Sequence, residues 1–169
     1  MFWVDEIVDK IIDTYAGQEE FIVRDEKTLS GPVHVGSLRG VVIHGIVAQV
    51  LNERGKKARF LFEFNDFDPM DGMPKELEGK GFDEHMGKPL YKVPSPDGKA
   101  ENFPEYYGAI FDSVIKELGF KHEIPRARTL YLDGKMNDWI RIGLTKNNEI
   151  RESFYISSGF HQNHFRLPE

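Results

Sequence analysis

Apolar residues near the start of the chain recur as Val4, Ile7, Val8, Ile11, Ile12 and Tyr15. Steps of three and four predict an amphipathic helix, with Gly17 as its stop. Phe21–Val23 is a short apolar run ahead of Arg24 and reads as a buried strand. Residues 24–33 are polar and hold Gly31-Pro32, the composition of a loop. From 34 to 54 the helical period returns. Val35, Leu38, Val42, Ile46 and Leu51 fall near one face, and Val41, Val47 and Val50 widen it. So broad a stripe predicts a largely buried helix. Ala58 to Phe64 is aromatic-rich and strand-like. Strand, loop, helix and strand over 21–64 predict two parallel strands joined by a right-handed crossover.

Asn65 to Pro74 is an acidic turn carrying Asp66, Asp68 and Asp71. Residues 75–102, rich in Lys, Gly and Pro, have no sustained period. They read as an excursion over the surface with a short helix near 82–86. A helix follows over 103–118 with Gly119 as its C′ residue. After it come a weaker third strand over Phe120–Ile124 and helices near 127–133 and 136–152. Alternating strands and helices give an α/β fold with a parallel sheet. Three strands are few for such a sheet. The chain, residues 1–152 with an atypical, loose tail over 153–169, therefore reads as an unfinished domain.

Composition narrows the function classes. The 169 residues carry 22 Lys plus Arg against 28 Asp plus Glu, a net charge of −6. That balance gives no support for non-specific nucleic-acid binding. A hydrophobic fraction of 40% and an aromatic fraction of 12% argue against disorder. No stretch approaches the roughly 18 to 20 consecutive apolar residues of a membrane span. Asp5 and Glu6 follow the first apolar residues too soon for a secretory signal. The expectation is a cytoplasmic protein without a membrane partner. With no cysteine, this stretch has no disulfide, no thiol nucleophile and no Cys-ligated zinc site.

Candidate chemistry gathers in Thr28-Leu-Ser-Gly-Pro-Val-His-Val-Gly-Ser37, between the first strand and the long helix. In open α/β sheets ligands bind beyond the carboxyl ends of the strands, where a helix N-terminus favours phosphate. Gly36 lets a base or ribose approach the backbone, His34 can donate to a phosphate oxygen, and Ser37 adds a donor. The residues alone equally fit a plain helix start with a packed histidine.

A longer resemblance bears on that choice. His34-Val35-Gly36-Ser37 after Ser30-Gly31-Pro32 resembles the HIGH signature of class I aminoacyl-tRNA synthetases. Val23–His44, Phe64–Pro74, Met86–Gly98 and Ile115–Phe120 follow in the order seen in the N-terminal part of the class I, archaeal-type lysyl-tRNA synthetases. The resemblance covers about residues 2–152. It implies a partial Rossmann-like (HUP-type) sheet and a family that activates lysine with ATP and transfers it to tRNA(Lys). Pro32, His34, Gly36 and Ser37 would bind ATP, which arrives with Mg2+. His34 would act as the catalytic group, stabilising charge on the α-phosphate. Glu26, Thr28, Ser30, Asp66 and Asp68 would bind the amino acid, because a lysine ammonium needs nearby carboxylates. For the acidic turn, solvated Asx-type hydrogen bonding is the plainer alternative. The second phosphate-binding signature, KMSKS, has no match here. A truncated gene, a frameshift or one piece of a split enzyme would each account for this, the last with a separate chain carrying the C-terminal domains as a further partner. A small HxGH-type nucleotidyltransferase and a non-catalytic ATP-binding relic are the alternative functions.

Smaller signals read mostly as structural. His161 and His164 offer two metal ligands without a third. His44 reads as structural, and His85 and His122 as surface residues. Arg54, Lys56, Lys57 and Arg59, and likewise Lys121, Arg126 and Arg128, read as solvated charges with a lesser role toward phosphate. Trp3 and Trp139 read as packing anchors.

Overall fold

The structure is a computed structural model, described here for residues 2–158. Helix α1 (Trp3–Thr14) precedes strand β1 (Glu20–Thr28), helix α2 (Val35–Glu53) and strand β2 (Lys57–Asn65). The strands pair in parallel, Glu20 level with Lys57 and Thr28 with Asn65. A third, parallel segment lies along the other side of β2. Glu123 N donates to Phe60 O, Phe62 N to Glu123 O and Phe64 N to Pro125 O, all within 3.0 Å. Only Leu61–Glu123 and Phe64–Arg126 pair as bridges. Pro125, with no N–H, limits this segment to an edge. The expected third strand is thus present as an interrupted edge, and β2 is the central strand. The fold class is α/β, as expected.

β1 runs through Thr28, so residues 24–28 are strand and not the expected loop. Polar side chains hid this. Asp25 and Lys27 replace apolar residues on the helix-facing side, and the pairing comes from β2. Phe60, Phe62 and Phe64 point the same way and pack with Leu29, Val41, Ala48, Phe111 and Ile115 in the main core. The phenyl rings of Phe62 and Phe111 meet edge-on at 5.1 Å between centroids.

α2 packs on one side against this core and on the other against Val4, Val8 and Phe21 through Val47 and Leu51. It is 19 residues long and apolar enough to cross a membrane by length and composition alone. Only 28% of that window is buried, along the side packed on β1, β2 and α1, so the helix is not the largely buried one that its broad stripe predicted. Gly45 is required here: an added Cβ would lie 2.8 Å from the Phe120 ring.

The stretch after β2 is not a surface excursion. Met70, Leu77, Phe82, Leu90 and Val93 form a second core with Phe103 and Tyr107 of helix α3 (Phe103–Glu117). Three single 3₁₀ turns, Lys75–Leu77, Phe82–His85 and Leu90–Lys92, carry these residues inward. Such short turns leave no sequence period, which is why the core was invisible in the pattern. α3 opens on Asn102, whose side chain accepts from Glu105 N at 3.1 Å, and ends before Gly119 at φ +82°.

Residues 1–128 form one compact unit and residues from Thr129 onward a second. Helix α4 (Ala127–Leu132) starts at the junction. The expected helix over 136–152 is two helices, α5 (Asn137–Thr145) and α6 (Asn147–Ser158). Thr145 Oγ1 bonds back to Arg141 O at 2.8 Å at the break. Residues 153–158 continue α6, and the rest of the expected tail, with His161 and His164, lies outside the described residues.

Candidate nucleotide-binding site

β1 and β2 end side by side, and their following loops are tied together. Thr28 Oγ1 donates to Asp68 Oδ2 at 2.7 Å. Leu29, 2% exposed, anchors the next turn in the core. Gly31 then passes close to Pro74, where an added Cβ would meet Cγ at 3.3 Å.

His34 is the N-cap residue of α2. Its backbone is extended and its side chain makes no capping bond. The imidazole is exposed and lies along the first helical turn, where a Cβ on Gly36 would stand 3.0 Å from Cε1 and Nδ1. The glycine therefore fixes where the ring can rest. Ser37 N donates to His34 O at 2.8 Å. Ser37 Oγ is buried without a hydrogen-bond partner among the described residues. A helix N-terminus with its first-turn N–H groups, an imidazole and an unused hydroxyl is chemically suited to an anion.

Two cavities meet at this histidine. One, of about 280 Å³, is lined by Lys27, Ser30, Gly31, Pro32 and His34, with Pro74 opposite. The other, of about 720 Å³, shares Pro32 and His34 and is otherwise walled by α2, α3 and residues 76–80. Sequence reasoning passed over Lys27, Glu76 and Lys80, which are ordinary surface types in ordinary positions.

The expected acidic residues are not equivalent. Asp68 stands at the strand ends on Thr28. Asp66 is fully buried. Its Oδ1 accepts from Arg128 N at 2.8 Å, and Arg128 Nε stands 3.2 Å from Oδ2 without hydrogen-bond alignment. Burial pushes the Asp66 carboxyl up, and the Arg128 amide and guanidinium pull it back. Asp66 is thus committed to Arg128. Glu26 is exposed on the face of β1 turned from α2, level with the buried Glu63. Glu63 is itself paired with Arg24 at 2.6 Å.

Several basic residues offered to phosphate are already engaged. Arg54 bridges Asp5 and Asp9 at 2.9 Å each. Arg59 grips Glu123 at 2.7 and 2.6 Å. Arg126 forks onto Glu105 at 3.0 and 2.9 Å and holds that carboxyl below its usual range. His122 is no surface residue: its ring is 3% exposed and lies 2.8 Å from Asp112. His85 is also mostly covered, its ring against Phe82. Trp139 is 67% exposed and so anchors no core.

Comparison with known proteins decides the family. A family model for class I (K) tRNA synthetases matches residues 1–162. The chain belongs to the class I (K) tRNA synthetase family. Among its relatives is a lysine–tRNA ligase of Thermococcus kodakarensis, 33% identical over 88% of this chain. One from Pyrococcus horikoshii is 30% identical over 89%, and lysine–tRNA ligase 1 of Methanosarcina acetivorans is 29% identical over 94%. The chain spans 28 to 29% of the length of these relatives. Membership in this synthetase family agrees with the α/β fold.

Proposed function

We propose that this chain supplies the ATP-binding part of a ligase that activates lysine with ATP and attaches it to tRNA(Lys). His34-Val35-Gly36-Ser37 is the HIGH-type sequence on this reading. Pro32, Gly36 and Ser37 hold the nucleotide, and His34 donates to the α-phosphate as negative charge develops there. The lysine carboxylate attacks the α-phosphorus and pyrophosphate leaves; a hydroxyl of the tRNA 3′ end then attacks the lysyl carbonyl, and AMP leaves. Thr28, Ser30 and Asp68 meet the amino acid at the strand ends, while Glu26 and Asp66 stand away from it. Positioning and electrostatics supply the catalysis, because ATP brings its own leaving group.

The observation that carries this reading is the first turn of α2: an uncapped, exposed His34 over Gly36, with the unused Ser37 hydroxyl beside it. Among the described residues no group of three or more His, Asp or Glu side chains is arranged to hold a metal. Mg2+ would come with the ATP phosphates, keeping most of its water shell. The setting is the cytoplasm.

The test is ATP–pyrophosphate exchange on the chain with each amino acid in turn, alone and with the remaining length of a relative added. Exchange with lysine only is the expected outcome, and His34→Ala lowers it about 100-fold without a shift in melting. ATP binding without exchange under either condition would indicate a non-catalytic relic, and no ATP binding would overturn the reading.

A further inference from the structure

The unit that begins at Thr129 carries apolar surface open to solvent. In α5, Trp139 and Leu144 are 67% and 70% exposed, and Ile140 and Ile142 are 44% and 46% exposed. In α6, Ile150 and Phe154 lie one turn apart and are 45% and 39% exposed. These positions are not scattered. At the turn of an α-helix, Trp139, Ile140, Ile142 and Leu144 fall on one arc of α5, and Asp138, Arg141 and Thr145 on the other. The polar arc is satisfied within the helix: Arg141 Nη1 pairs with Asp138 Oδ1 at 3.0 Å, and Thr145 bonds back to Arg141 O. Gly143 stands in the middle of the apolar arc, where an added Cβ would meet nothing within 4 Å among the described residues. Glycine inside a helix lowers stability relative to alanine, and no contact within one copy calls for it here. A missing side chain at that point lets the backbone of a second helix approach closely.

Charge chooses the occupant. Residues 129–169 hold five Lys or Arg and five Asp or Glu, so the whole net charge of −6 belongs to residues 1–128. A nucleic acid or an anionic membrane calls for an excess of Lys and Arg around the apolar arc. A surface without net charge is matched by its own copy, which brings the same apolar arc and no repulsion against it. At the exposures above, six such side chains offer on the order of 600 Å², somewhat short of the roughly 800 Å² per partner in a standard interface. We infer that this chain self-associates through α5, as a two-fold dimer in which the Gly143 faces of two copies cross and Ile150 and Phe154 close the rim. The modest area sets a weak dimer, with a dissociation constant on the order of 10 μM. Salt screens the repulsion between the two acidic units over residues 1–128, so the dimer tightens as salt rises.

Sedimentation equilibrium on the full chain, from about 1 to 300 μM, reads the association. A monomer is expected at the dilute end and a dimer at the concentrated end, the dimer tightening as salt is raised. In a Trp3→Phe chain, Trp139 emission is that of an exposed indole when dilute and moves to shorter wavelength as the dimer forms. Leu144→Glu, at an exposed position, is expected to weaken association at least tenfold. Gly143→Gln installs a better helix former, so melting of the dilute chain holds or rises while association again falls at least tenfold. A chain that stays monomeric at the highest concentration overturns the proposal. So does a dimer that both variants leave unchanged, which places the interface elsewhere, or one that salt weakens, which makes the contact ionic. A monomeric chain that instead binds the remaining length of a relative, and loses it in Leu144→Glu, assigns the face to that occupant and overturns the dimer.

Discussion

Two glycines in α2 act through the side chains that occupy their missing Cβ. At Gly36 that neighbour is the His34 ring. Gly36→Ala improves helix propensity by up to about 1 kcal/mol, so melting holds or rises, while the displaced ring weakens ATP binding. Calorimetry and nucleotide titration on one preparation check the opposite signs. At Gly40 the neighbour is Asp25 of β1, whose Oδ2 would lie 2.1 Å from an added Cβ. His44 Nδ1 bonds Gly40 O at 2.8 Å and stands 3.4 Å from the same carboxylate. Gly40→Ala is expected to cost about 1–3 kcal/mol through overpacking. Asp25→Ala in the same chain recovers most of that loss, because these two residues share the space. Denaturant melts of the single and double variants test the coupling. The sequence marked His34, Gly36 and Ser37 by their place between a strand and a helix. It did not mark Asp25 and Gly40, whose relation exists only once β1 lies under α2.

Among the elements, the stretch from Asp66 to Asn102 holds its own core and is secured at its far end by a turn. Ser95 Oγ, Lys99 N and Ala100 N all donate to Asp97 Oδ1. These bonds, led by that from Ser95, lower the Asp97 carboxyl from 3.8 to about 2. A carboxyl lowered on folding stabilises the native state above its unfolded value, and that contribution is lost as pH falls from about 4 toward 2. NMR titration is expected to give Asp97 a midpoint near 2, with the Lys99 and Ala100 amide signals moving alongside it. Asp97→Asn removes the acid-dependent step. The sequence read α1, α2, β2 and α3 correctly because each carries a clear period or an aromatic run. It lost the second half of β1 and the core of residues 70–93, where pairing and single turns replace periodicity.

For the molecule as a whole, the three apolar clusters and the candidate site all lie within residues 1–128. A chain ending at Gly134 is therefore expected to keep one cooperative thermal transition and its ATP affinity, measured by circular dichroism and titration. In α5 no described residue is buried, and Trp139 and Leu144 are 67% and 70% exposed. Trp139 emission is expected near the wavelength of free tryptophan, with ready quenching by acrylamide.

The chain's own pattern determined the α/β class, the parallel crossover and the position of the loop between β1 and α2. These follow from local periods, turn residues and the one place where a strand runs into a helix. Tertiary structure decided which charges remain available. Arg54, Arg59, Arg126 and Asp66 acquire partners 21 to 64 residues distant, and no local pattern encodes such pairs. It also decided that two cavities share His34, because α2, α3 and the 3₁₀ turns converge there only when each buries its apolar side.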